Sequence, residues 1–133
     1  MKRTPIRGKS KSETRKIQDL LWQECRRIIK NRYAMDGKMF CFTCGKEMSG
    51  SNSQTGHFIP NRVGGALLRY NLDNLRPQCY YCNINLGGNG SVFYKNLLAE
   101  KGQEYIDNLF QLKGQTCKAI DIYKELLVKY KLL

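Results

Sequence analysis

The chain has 133 residues, 41% of them hydrophobic, which suits one domain with a modest core. Twenty-three Lys and Arg against 11 Asp and Glu give a net charge of +12, so the expected partner is a polyanion, most simply nucleic acid, with an anionic membrane surface as the lesser choice. No apolar run is long enough to span a bilayer and no signal-peptide core opens the chain, so a soluble cytoplasmic protein is expected.

Residues 1–16 read as a basic arm, with Lys2, Arg3, Arg7, Lys9, Lys11, Arg15 and Lys16 set against Glu13 alone. It is either an arm that orders on phosphates or a solvated tail. Residues 17–133 read as one domain. Ser12 or the pair Ser10 and Glu13 can cap a long helix that runs to Ala34. Ile17, Leu20, Leu21, Cys25, Ile28 and Ile29 form its apolar stripe. Lys16, Gln23, Arg26, Arg27, Lys30 and Arg32 fall mostly off that stripe, as a solvated or DNA-facing side.

Residues 49–55 read as a loop, and residues 56–60 as a strand around His57. Residues 61–65 read as a turn, with residues 67–75 returning from it. Pro77 is expected just before a short helix bearing Cys79, Cys82 and Asn83, stopped by Gly87 and Gly88. The tail, residues 91–133, is read as three helices. Ser91 caps the first, which carries Val92, Phe93, Leu97 and Leu98 inward, and Gly102 and Gly114 act as breaks. Thr116 caps the last, whose inner face holds Ile120, Tyr123, Leu126, Leu127 and Tyr130.

Two C-x2-C pairs, Cys41 with Cys44 and Cys79 with Cys82, can supply four thiolates to one tetrahedral zinc. The alternatives are two disulfides or plain buried thiols, and nothing in the chain signals an oxidising compartment. Cys25 and Cys117 stand apart on apolar stripes and read as core residues. His57 is the only histidine, and a neutral imidazole is the natural base near neutral pH. The amide oxygen of Asn83 is a hard ligand that suits a divalent ion such as Mg2+ or Mn2+. Asn74 can hold the loop or His57 through its amide. Lys46, Arg62, Arg69 and Arg76 surround this stretch and could meet phosphates.

Gly56-His57-Phe58-Ile59-Pro60, Gly64-Gly65, Asn74-Leu75 and Cys79-x2-Cys82-Asn83 together resemble the HNH, or ββα-metal, nuclease motif. The resemblance implies an α+β fold. It would have a zinc-stabilised ββα-metal core over residues 38–90, preceded by the long helix and followed by the helical tail. It also implies His57 as general base, Asn74 as the residue shaping the loop, Asn83 as ligand of the catalytic ion, and a structural zinc on the four cysteines. A more specific similarity runs over most of residues 38–123. Gly56-His57-Phe58, Leu68-Arg69-Tyr70-Asn71, Gln78-Cys79, Gly88-Asn89, Tyr94, Gly102-Gln103-Glu104 and Cys117-Lys118-Ala119-Ile120 are similar to the phage recombination family called NinG or Rap. Its members are structure-selective endonucleases of Holliday junctions and D-loops, which implies a homodimer acting on branched DNA in the host cytoplasm.

One position departs from the wider motif. Many HNH enzymes have a metal-binding Asp just before the histidine, and here it is Gly56. Asp73, a backbone carbonyl, Thr55 or water would have to serve instead. Two other functions stay open: a non-catalytic zinc-knuckle module that binds nucleic acid, and an HNH nickase of ordinary duplex DNA.

Overall fold

The computed structural model describes residues 11–115 and 117–133. Most of the basic arm, with Lys2, Arg3, Arg7 and Lys9, and the expected caps Ser10 and Thr116 lie outside the described residues. The fold is α+β. Helix α1 spans Glu13–Tyr33, and Ser12 caps it by accepting the Arg15 amide N–H at 3.2 Å. The end of the arm is therefore already helical. Asp36 and Gly37, both at positive φ, turn the chain out of the helix.

Strands β1 (Met39–Phe40) and β2 (Glu47–Met48) pair antiparallel, as do β3 (Ser53–His57) and β4 (Leu75–Cys79). Between β3 and β4 run two short helices, α2 (Asn61–Gly64) and α3 (Ala66–Arg69), and a tight turn at Leu72–Asn74. A single π-helical turn, Tyr81–Asn85, follows β4. Helices α4 (Gly90–Lys101), α5 (Gln103–Leu112) and α6 (Ala119–Lys131) complete the chain.

Several expectations shift. The first strand begins at Ser53, inside the expected loop, and stops at His57 rather than Pro60. Residues 67–75 do not return as a strand but coil through α3 and the tight turn, so the return strand is Leu75–Cys79. Pro77 sits inside that strand, opposite Thr55, and Cys79 ends it. A two-stranded ribbon is all edge, so a missing N–H is tolerated there. Cys117 precedes α6 instead of lying within it, and is half-buried.

Three apolar clusters hold the elements together. In the first, Leu21, Cys25, Ile28 and Ile29 of α1 meet Tyr123 and Tyr130 of α6 over Tyr70, Leu72 and Leu75. Each fully buried aliphatic side chain there contributes roughly 1.5–3 kcal/mol. Leu20 is 45% exposed and Leu98 37% exposed, because the apolar stripes are wider than the surfaces that cover them. The stripes of α1 and α6 cover each other within one chain, so neither stripe is free to form a dimer interface. The second cluster joins Ile59 and Leu68 to Phe93, Leu97, Ile106 and Leu109. The third is built from Met39, Met48 and the thiols of Cys41, Cys79 and Cys82. No helix among the described residues is long and apolar enough to cross a membrane.

Candidate metal centre and imidazole site

The four paired cysteines converge as their spacing predicts. The sulfurs of Cys41, Cys44, Cys79 and Cys82 all lie within 4.8 Å of one another. The Cys44 and Cys79 sulfurs are 3.8 Å apart. Four thiolates about 2.3 Å from a tetrahedral zinc would stand about 3.8 Å apart. Each pair sits on a knuckle: the Cys44 amide points at the Cys41 sulfur at 3.5 Å, and the Cys82 amide at the Cys79 sulfur at 3.4 Å. Gly45 supplies the positive φ of the first knuckle. All six cysteines are free, so the disulfide alternative falls. Burial alone would raise the Cys41 thiol, but the Cys44 amide and the Thr43 hydroxyl outweigh it and bring it down to about 6. The cluster can hold a metal such as zinc. Cys25 is a core residue as expected, its thiol pushed up to about 12 by burial.

His57 closes β3. Its ring stacks on Trp22 of α1, centroids 5.3 Å apart and planes within 7°. Its Nε2 lies 2.8 Å from the carbonyl oxygen of Arg69. A carbonyl only accepts, so Nε2 carries the hydrogen and Nδ1 keeps a free lone pair. Burial holds the imidazole below its ordinary value of 6.5; the Arg69 carbonyl works against this and the Arg69 charge with it. At neutral pH the ring is therefore uncharged. A hollow of about 220 Å³ opens beside it, lined by Arg15, Asp19, Trp22, Asn61 and Arg69 among others.

Asn74 is fully buried and does hold the loop. Its Oδ1 accepts the Ile59 N–H at 2.8 Å, and its Nδ2 donates to the carbonyls of Ile59 and Leu68 at 3.0 and 3.2 Å. Its side chain makes no hydrogen bond to His57. Asn83, on the π-helical turn, donates its Nδ2 to Gln54 Oε1 at 2.9 Å, which leaves its own Oδ1 free to ligate.

Gly56 has a local reason to lack a side chain. A Cβ there would run into the amide of Gln78, which is fully buried across the ribbon. Gln78 donates Nε2 to the Thr43 hydroxyl and the Gly88 carbonyl, while its Oε1 is buried without a partner. The space that an Asp at position 56 would enter is thus filled by an amide oxygen from the neighbouring strand. Asp73 does not replace that Asp, since it lines a separate hollow with Arg76, Glu100 and Tyr105.

Of the four expected phosphate contacts, Lys46 and Arg62 are exposed, and Arg69 borders the His57 hollow. Arg76 corrects the expectation. It is only 2% exposed, pairs with Glu100 at 3.0 Å, and bonds the Tyr105 hydroxyl and two backbone carbonyls. Its charge is spent inside the protein. Sequence reasoning also missed Trp22, Gln54 and Gln78. Trp22 did carry a signal, as a large aromatic lying off the apolar stripe of α1.

The fold and site define a class: a small basic α+β protein in which cysteine knuckles anchor a two-stranded ribbon that presents one uncharged imidazole. The model of the bacteriophage lambda NinG protein family matches residues 3–133, and the chain belongs to that family. No curated protein and no solved structure gives a significant match.

Proposed function

We propose that the chain is a metal-dependent endonuclease of the HNH type that hydrolyses phosphodiesters in branched DNA, such as Holliday junctions and D-loops. The observation that carries this reading is the tautomer of His57. With Nε2–H given to the Arg69 carbonyl, Nδ1 stays a free base beside a hollow edged by Arg15 and Arg69. Nδ1 takes a proton from a water aligned on the phosphorus. The Arg69 guanidinium offers charge to the phosphate oxygens, while Arg15 is tied to Asp19. The Trp22 stack and the Arg69 carbonyl fix the ring so that this lone pair keeps its aim.

The order of β3, β4 and the π-helical turn supports the ββα-metal reading, with the thiol cluster clamping ribbon and turn through a structural zinc. For the catalytic ion, the free Oδ1 of Asn83 and the unpartnered Oε1 of Gln78 are hard oxygens that fit Mg2+ or Mn2+. Such an ion would neutralise charge on the scissile phosphate and its leaving oxygen. Gln54, bonded to Asn83, would orient that ligand. NinG membership supports a phage, recombination-related setting in the host cell. Two incisions at a junction call for two chains, joined by a surface other than the α1–α6 contact.

Purified protein is tested on labelled four-way junction, D-loop and linear duplex, with Mg2+ or Mn2+. The expected result is cleavage of the branched substrates above the linear duplex. His57→Ala should lower it by about 10²–10⁴-fold with binding retained. Equal nicking of all substrates would favour an ordinary duplex nickase. The amide-only surroundings of Asn83 favour one rival, a non-catalytic zinc module, which predicts salt-sensitive binding and no strand breaks with either ion.

A further inference from the structure

Helix α1 borders two hollows in succession. The first, about 560 Å³, lies between α1 and the ribbon, with Arg26 and Lys30 on the helix side and Ser53 and Thr55 of β3 on the other. The second is the hollow of His57, with Arg15 and Trp22 on the same helix. Ser53, Thr55 and His57 alternate along β3 and so share one face. The Trp22–His57 stack ties the strand to the helix beside the second hollow. The two hollows thus follow one another along the same helix and the same face of β3, the second of them at the imidazole.

Its charges are unevenly spent. Arg15 is paired with Asp19, and Arg27 with Glu24. Arg26 and Lys30 are exposed and, among the described residues, have no carboxylate partner. The opposite wall supplies the hydroxyls of Ser53 and Thr55, which are the small neutral donors that phosphate oxygens accept from. From Arg15 to Lys30 the helix rises about 22 Å. One strand of a DNA duplex carries about six phosphates over that length.

We infer that the groove between α1 and β3 is the track of one strand of duplex DNA, with Arg26 and Lys30 gripping its phosphates and His57 at its end. The track names the DNA path of the nuclease proposed above and rests on that reading for what happens at its end. Its binding role is measured separately. Every residue named lies on a helix or strand.

The test uses the full chain and a fluorescent duplex with a four-way junction alongside, reading affinity by anisotropy over a salt series. Arg26→Gln with Lys30→Gln is compared with Lys129→Gln plus Lys131→Gln, an equal loss of charge in the last turn of α6. Thermal melting checks that both fold. The groove pair should weaken binding by about tenfold or more and reduce the salt slope by about 2, one unit for each phosphate contact removed. The α6 pair should change neither by as much as half. Equal effects from both pairs, or none from the groove pair, would overturn the track. His57→Ala keeps the two claims apart: if it cuts as the wild type does while the groove pair binds weakly, the track stands and the role of His57 as general base falls. The reverse result removes the track and keeps the nuclease.

Discussion

The imidazole of His57 is held from two sides, by an indole face and by a backbone carbonyl, and its burial outweighs the pull of that carbonyl and favours the uncharged form. The depressed value fixes the signs of two pH effects. Binding needs no proton change there, but the base is lost as pH falls through a value below 6.5, so kcat/KM for the free enzyme should reach half its plateau only at a pH below 6.5. Below that value it should fall about tenfold per unit. By linkage, the unfolded imidazole takes up its proton at higher pH than the folded one. Its stabilising contribution is therefore present above about 6.5 and lost as pH falls through the folded value. Trp22 is the only tryptophan, and a protonated imidazole stacked on it quenches its emission. A fluorescence titration should show a midpoint below 6.5 that His57→Gln removes. A midpoint at or above 6.5 would mean the ring is not desolvated as the structure has it. His57, Asn74 and Asn83 could be singled out in the sequence because their spacing resembles a motif that carries chemistry. The Trp22 stack and the Gln78 amide under Gly56 were not, since each depends on two segments whose approach no local pattern records.

At the level of elements, the cysteine pairs announce their own geometry, and helices α1, α4, α5 and α6 follow from apolar period and glycine breaks. The ribbon is harder to read. Strand β4, Leu-Arg-Pro-Gln-Cys, is buried along its whole length, so it shows no alternation of polar and apolar residues. Its Pro77 then argues against a strand by local rule. What holds β4 in place is the thiol cluster at its end, which forms a core of its own with Met39 and Met48. That dependence is testable. A structural zinc contributes about 10 kcal/mol or more of apparent binding energy, comparable with the whole stability of a domain this size. Protein purified without chelator should carry zinc in a ratio of about one per chain. Cys79→Ser should lose it and, with it, the cooperative thermal transition. A zinc-free variant that melts like the wild type would remove the metal from the fold.

Across the whole molecule the three clusters need a joint, and Arg76 supplies it. Its guanidinium lies over the rings of Tyr33, Phe42 and Tyr105, at 5.3, 5.5 and 5.7 Å, which brings together the end of α1, the first knuckle and α5. Glu100 of α4 closes the set, 3.0 Å from Arg76 and 3.1 Å from the Tyr33 hydroxyl. In a chain with net charge +12 an arginine beside the knuckle invites a reading as a DNA contact. Its burial reverses that, because a guanidinium withdrawn from water needs a fixed anion nearby. Nor could the pairing of α1 with α6 be read locally, since it joins generic apolar stripes about a hundred residues apart and Tyr70 is what both enclose. Glu100→Ala leaves Arg76 charged and buried with neutral partners only. Losing one member of a buried pair costs about 3–5 kcal/mol. Glu100 is 29% exposed, so water replaces part of it and the expected loss falls below that range, at about 2–3 kcal/mol. Urea denaturation should show this as a lower midpoint at unchanged slope, largely insensitive to salt because the pair is shielded. Glu100→Gln, which still accepts from Tyr33 and Arg76, should lose less than half as much. If Glu100→Ala melts with the wild type while DNA affinity rises, the guanidinium faces the nucleic acid after all, and the joint between the three clusters lies elsewhere.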